Sequence, residues 1–415
     1  MTRRIIIILL CAVLAAASSG CSGKPGQESM PGTQEAQSTP EEKPSGTKTE
    51  PSGAQPVPEK LAEIVDGEGK RLGEIDAASA CSAVEGGIFY RVVDMKEYAL
   101  TGTATYRFFR AADGKDVFLG TLEEQSYETF YARTELDGIV YTLATEGNPF
   151  DDEPDTLWLL AFDLAAESMT KHEVSKDGFP YAAMAAAGGK LLIMNHEMST
   201  PKSDRVYEFD PASGTVREIL SLPNDETSSL RSIAAAEDGF YLLRLKLAGG
   251  LPEELLSERY DDAAKLQESV SLNEMIVSAM KDLPGFEGED DVLIEFGLHV
   301  GGFAVWDGRY LFYENFGRVR VVIDLSTGEA LFAGEDLWNM AGGAPAFYEL
   351  AFEPYGAGEG PKIVHLQEGK LQTLPFRPDD GSLMLRSASC SADGTWLIRT
   401  VSDAGDDKLF LWKAK

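Results

Sequence analysis

The side chains with the most chemical capacity in this sequence are carboxylates. Asp151, Asp152, Glu153 and Asp155 form one cluster, Glu287, Glu289, Asp290 and Asp291 a second, and Asp403, Asp406 and Asp407 a third. Hard oxygen donors at this density are the raw material of a calcium site. None of the three has the Asp-x-Asp-x-Asp-Gly spacing that wraps a loop around calcium. The expectation is therefore solvated charge, with calcium as the weaker reading, no other cofactor and no assigned metal ligand. An acidic rim of this kind would steer a cationic partner.

Asn195-His196-Glu197 sets an imidazole beside a carboxylate, the combination that acid–base chemistry and metal ligation draw on. The chain has 4 histidines, none at i, i+4 spacing, which speaks against zinc. No Gly-x-Ser-x-Gly elbow, phosphate-binding loop or Cys-x-x-Cys occurs, so nucleophilic, nucleotide and thiol-redox chemistry lack a starting motif. No convergent set of His, Lys and Arg is legible either, which disfavours turnover of phosphates or uronates. No catalytic residue is assigned.

The whole chain is acidic: Lys+Arg 37 against Asp+Glu 68 gives a net charge of -31 over 415 residues. That field repels nucleic-acid phosphates and anionic headgroups, so no nucleic-acid partner is expected. A hydrophobic fraction of 43% is enough for at least one large core.

The elements that must position these residues begin after a leader. Arg3 and Arg4, the apolar run Ile5 to Ala17 and the small residues that follow read as a secretion signal over residues 1–20. The run is shorter than the roughly 20 apolar residues a membrane span needs. Ser18-Ser19-Gly20-Cys21 resembles the lipobox of bacterial lipoproteins, although Ser18 stands where that family more often has Leu. The resemblance implies that Cys21 receives a diacylglyceryl group and becomes the mature N-terminus. The protein is then extracytoplasmic, at the cell surface or in the periplasm, and meets the membrane through its lipid alone. Residues 21–60 are almost exclusively Pro, Gly, Ser, Thr, Glu, Gln and Lys after the cysteine, without an aromatic residue. They cannot offset chain entropy and read as a disordered tether, with an end-to-end distance of roughly 35 Å.

Residues 61–415 carry a repeat. Small residues lead into a Gly turn and then an apolar strand, as in Ala185-Ala186-Ala187-Gly188-Gly189-Lys190-Leu191-Leu192 and Ala234-Ala235-Ala236-Glu237-Asp238-Gly239-Phe240-Tyr241-Leu242. Gly87, Gly138, Gly189 and Gly239 recur about 50 residues apart. A second hairpin follows in each unit, as in Arg205 to Asp210, the turn Pro211-Ala212-Ser213-Gly214, and Thr215 to Leu222. Strands in fours without intervening helices predict an all-β fold, a seven-bladed β-propeller with four-stranded antiparallel blades. The units are 77–123, 134–176, 181–222, 231–272, 301–334, 340–377 and 386–413. One short helical insertion is expected between blades 4 and 5, where Ser271-Leu272-Asn273-Glu274 reads as a capping box before Met275, Ile276, Ala279, Met280 and Leu283. Its apolar stripe is expected to pack on a blade edge, the alternative being a lid or docking helix. The last unit lacks an outer strand, and Lys70 to Ile75 has the pattern to supply it and close the ring.

Ser391-Ala392-Asp393-Gly394-Thr395-Trp396, with Leu411-Trp412 beyond, resembles the repeat of TolB-like propellers over about 24 residues. That resemblance implies a propeller family known for protein interactions, whose blades also occur as non-catalytic domains of peptidases.

In such a ring the tight hairpins open on one face and the longer connections on the other. Asp94 to Thr103, Glu146 to Thr156, Asn195 to Asp204, Tyr355 to Pro361 and Ser402 to Asp407 are expected as long loops on that second face, where function concentrates. The ligand-face candidates are Asp151, Asp152, Asp155, His196, Glu197, Tyr355, Asp406 and Asp407. The functional expectation is a monomeric binding or scaffold module for an envelope protein, peptide or glycan. The alternative is a secreted propeller hydrolase or lyase that uses the acidic loops with a divalent cation. Cys81 and Cys390 fall on the innermost strands of the first and last blades, which closure makes neighbours. Buried thiols are expected there, and a seam disulfide stays open as the alternative.

Overall fold

The structure, a computed structural model, describes residues 59–60 and, with interruptions chiefly between strands, residues 80–413. Among the described residues the strands form seven main sheets in chain order, six of four strands and a last one of three. First strands of neighbouring sheets pack together, as Ala183–Ala187 does against Arg133–Leu136 and Ser228–Ala236. Leu383–Cys390 of the last sheet lies against Ala80–Val84 of the first, so the ring is closed. The folded body is a seven-bladed β-propeller.

The strand expected over residues 70–75 lies outside the described residues. A pairing not anticipated joins Glu59–Lys60, at the end of the segment read as tether, in parallel to Phe376–Arg377 beyond the outer strand of blade 6.

Composition accounts for the wedge shape. The innermost strands are narrow, with Ala183 and Ala185 to Ala187 in blade 3 and Ala234 to Ala236 in blade 4, because side chains crowd near the axis. The second and third strands carry the bulk, and the core lies between blades. Tyr141, Leu143, Leu157 and Leu159 of blade 2 pack with Leu191, Ile193, Tyr207 and Phe209 of blade 3. Each such fully buried side chain contributes about 1.5–3 kcal/mol through the water it excludes.

The hairpin face is built from local turn chemistry. Asp137 at φ 52° and Gly138 at φ 76° make the mirror-image two-residue turn that matches strand twist. In the second hairpin of blades 2 to 5 an aspartate at the turn accepts from the backbone just ahead of it. Asp163 takes Ala166 N–H at 2.8 Å, Asp210 takes Ala212 N–H at 2.9 Å, Asp261 takes Ala263 N–H at 3.0 Å and Asp324 takes Ser326 N–H at 2.9 Å.

Helix α1 (Asn273–Lys281) follows the outer strand of blade 4. Its Ile276 and Val277 join Leu272, Val305, Leu311, Val321 and Ile323 in the core between blades 4 and 5. The Asn273 amide stands in for missing ladder: Oδ1 accepts from Leu255 N–H and Nδ2 donates to Glu253 C=O, each at 2.9 Å.

On the opposite face two of the expected long loops, those after Asp94 and Asn195, are shorter than the sequence suggests, and those after Glu146 and Ser402 keep the expected bounds. Strand pairing runs on through Met95 opposite Gly102, Glu146 opposite Thr156, Glu197 opposite Ser203, and Val401 opposite Asp407. Residues 96–100, 147–154, 198–201 and 403–406 lie outside the described residues. Backbone groups at the strand ends have a ladder partner within reach, and the pairing continues until polar residues give out. Asn195, His196 and Glu197 are accordingly strand residues, which corrects their assignment to a loop.

Candidate functional site

Blade 3 carries the site at the end of its central hairpin. Lys190–Glu197 and Ser203–Asp210 pair so that His196 lies opposite Asp204 and Asn195 opposite Arg205. Strand alternation sends successive side chains to opposite faces, so the hairpin offers one acid to each neighbouring blade.

Toward blade 4 the acid is Asp204, 1% exposed. Its Oδ1 lies 2.6 Å from His196 Nδ1 and accepts from Asn224 Nδ2 at 2.5 Å, and its Oδ2 accepts from Leu230 N–H at 2.6 Å. Toward blade 2 the acid is Glu197, also buried. It accepts from Ser175 Oγ at 2.9 Å and Tyr207 Oη at 2.7 Å, and its Oε2 lies 2.7 Å from Arg205 Nε. Arg205 reaches on to Glu218 at 2.7 Å. Fully buried Asn195 donates to Asp177 C=O at 2.9 Å, tying blade 3 to blade 2 a second time.

The electrostatics follow from this packing. Burial, assisted by the bond to Glu197, pushes the Tyr207 hydroxyl up to about 12. Burial works against the Arg205 charge, but Glu197 and Glu218 outweigh it and hold the guanidinium above its usual range. Arg231, on the innermost strand of blade 4, goes the other way: desolvation lowers it, and Asp204 only partly compensates.

The 2.6 Å contact between His196 Nδ1 and Asp204 fixes the orientation of the imidazole ring, the orienting half of an acid–base pair. Glu197 and Arg205 form a fixed acceptor and donor beside it. His196 and Arg205 are thus each set against a buried acid. The arrangement was invisible along the chain because it is assembled from three blades. Asp204, Tyr207, Ser175 and Asn224 were missed for that reason. The available signal was the Asp-Arg pair at the start of the strand that answers His196.

Of the other candidates, Asp155 opens the third strand of blade 2 opposite Gly178 and is partly buried. Asp407 opens the third strand of blade 7. Asp151, Asp152, Tyr355, Asp406 and Cys21 lie outside the described residues. Among the described residues no group of three or more His, Cys, Asp or Glu side chains is placed to hold a metal ion.

At the seam the first and last blades meet as expected, with Ala83 N–H donating to Ser389 Oγ at 2.9 Å. Cys81 and Cys390 are thiols there and are not joined to each other. Burial, aided by Asp393, lifts the Cys390 thiol to about 12. Buried Arg133 donates to Ala83 C=O at 2.6 Å and braces blade 2 against blade 1.

No family model matches the chain, and no curated protein matches it. Solved structures do. The β-propeller domain of the Trilobed protease from Pyrococcus furiosus is 13% identical with a TM-score of 0.40, over 68% of this chain and 82% of that one. An oligogalacturonate lyase in complex with manganese is 13% identical with a TM-score of 0.42, over 81% of this chain and 95% of that one. The acylaminoacyl peptidase of Pyrococcus horikoshii is 12% identical with a TM-score of 0.43 over 70% of this chain, which spans 45% of the peptidase. No activity transfers at such identities.

Proposed function

We propose that the protein is a lipid-anchored extracytoplasmic binding or scaffold module that engages an envelope protein, peptide or glycan through the propeller face bearing His196 and Glu197. The observation that supports this reading is the saturation of the two acids. Asp204 and Glu197 each have three partners among neighbouring side chains and backbone. A carboxylate held this way is fixed in position, and its oxygens have little hydrogen-bonding capacity left for a substrate. It is suited to presenting a rigid polar surface, with Arg205 as its accessible edge. Cys21 supplies the anchor and residues 21–60 the reach.

The second reading, a hydrolase or lyase, draws on the His196 Nδ1 contact with Asp204 at 2.6 Å. One experiment separates the two. A photo-crosslinking residue is placed in the full-length chain in cells, either at exposed Lys202 beside the site or at exposed Asp113 on the hairpin face. The expected result is a crosslinked product from position 202 alone, lost on Arg205→Ala. Turnover of a peptide, ester or polysaccharide panel by the purified chain, abolished by His196→Ala, would make it an enzyme instead. Cys21→Ser is expected to abolish labelling by a palmitate analogue and to release the protein from the membrane fraction.

A further inference from the structure

Among the described residues blade 7 alone of the main sheets has three strands. Its last strand, Asp407–Lys413, pairs with Thr395–Ser402 on one side, and no described strand runs along its other edge. The side chains it carries are those of an interior strand. Leu409, Phe410 and Trp412 are 5%, 4% and 6% exposed, whereas Leu266–Ser271, the outer strand of blade 4, is exposed throughout. An edge built on a buried strand is a template for one more.

The edge lies beside blade 1. At two other junctions an outer strand overlaps the blade that follows. Lys115–Gln125 of blade 1 packs on Ile139–Glu146 of blade 2, and His172, on the outer strand of blade 2, sets its ring 4.8 Å from that of Phe209 in blade 3. Nothing described does this for blade 1. Its Phe118 stands opposite Arg107, whose Nε donates to Tyr90 Oη, and Tyr90 belongs to the core between blades 7 and 1. Phe118 therefore shares the side turned to blade 7, where it is 54% exposed. A groove of about 210 Å³ opens at the same junction, between Gly86 and Ala111 of blade 1 and Leu411, Trp412 and Lys413 of blade 7.

We propose that residues 70–75 of this chain dock on that edge as the fourth strand of blade 7, antiparallel to Asp407–Lys413, and cover Phe118. The two ends of the chain around them argue for this occupant. In blades 2 to 6 the strand that precedes the innermost one is the outer strand of the blade before. Four residues join the two at 179–182 and again at 224–227. Counting back four residues from Ala80, over 76–79, reaches Ile75. At the other end Glu59–Lys60 pairs with Phe376–Arg377 beside blade 6. The nine residues 61–69 reach up to roughly 30 Å when extended, more than the ~10 Å between packed sheets. The chain thus meets blade 7 on its way from blade 6 to blade 1. In an extended Arg71-Leu72-Gly73-Glu74-Ile75, Leu72 and Ile75 fall on opposite faces, one for each neighbouring blade.

The test uses the full-length chain. A photo-crosslinking residue at position 118 is expected to join residues 70–75 of the same chain, read by peptide mapping of the monomer band. Hydrogen exchange at residues 71–75 is expected to be at least ~10-fold slower than at residues 30–50. Leu72→Pro, which removes a ladder donor, is expected to abolish the crosslink and to speed exchange at Leu409 to Trp412. If that variant does not accumulate, Ile75→Asp and the crosslink in the otherwise unchanged chain carry the same decision. A crosslink to a second copy or to another protein, no crosslinked product, or exchange at 71–75 as fast as at 30–50 would overturn the proposal.

Discussion

The two faces of this propeller use the same acid for different ends. On the hairpin face Asp163, Asp210 and Asp261 bond to backbone within a few residues of themselves. On the opposite face Asp204 and Glu197 bond to groups 26 and 22 residues away, on other blades. The first arrangement closes a turn and is complete within one unit. The second exists only when three blades are in place, so it couples their positions and leaves a shaped polar surface. The two kinds of carboxylate differ in the sequence distance of their partners.

The largest effect is expected where backbone meets backbone on the hairpin face. At Gly239, φ +139°, a Cβ would lie 2.0 Å from Tyr260 C=O, and neither side can move without breaking the ladder. Gly239→Ala should cost about 4 kcal/mol in urea unfolding, or prevent accumulation of the protein. A cost under about 1 kcal/mol would mean that this face is not set by close backbone approach.

Next comes Asp204→Ala, which strands the buried Leu230 N–H together with His196 and Asn224. A loss of about 3 kcal/mol is expected by the same measurement. Asp210→Ala, on the hairpin face, should be barely distinguishable from wild type. Equal losses at the two positions would erase the contrast between the faces.

A smaller effect comes from a turn aspartate that also has a distant partner. Asp324 bonds to Arg309, and chiefly for that reason its carboxyl is held far below the usual range. A depressed folded-state value means that its contribution is present above the unfolded value, near pH 4, and is lost as pH falls toward the folded one. Because Arg309 is 51% exposed, Asp324→Asn should cost only about 1.5 kcal/mol at neutral pH. Its unfolding midpoint should approach that of wild type below pH ~4. A difference that persists unchanged into acid would assign the effect to the turn.

The smallest is Tyr207→Phe, at about 1 kcal/mol. The raised hydroxyl, about 12, contributes fully below the unfolded value near 10 and is lost as pH rises through the folded one. Wild type should lose more stability than the Phe variant between pH ~10 and the folded value. Parallel alkaline profiles would detach Tyr207 from the Glu197 network.

Much of the hairpin face was legible along the chain. Asp137-Gly138 and Asp210-Pro211-Ala212-Ser213-Gly214 carry their turn chemistry in adjacent residues, and their spacing was enough to count blades. The other face was legible only as a location. His196 and Glu197 stood out as residue types, but their placement in a loop was wrong, because ladder pairing extends past the last apolar residue.

The sequence by itself determined the repeat, the all-β blades and their turns, because strand alternation and turn geometry depend on neighbours a few residues apart. The tertiary structure alone decided that Asp204 meets Leu230 and that Glu197 meets Ser175. Those meetings depend on how far each blade rotates about the axis, a quantity set by core packing between blades and by no single segment of the chain.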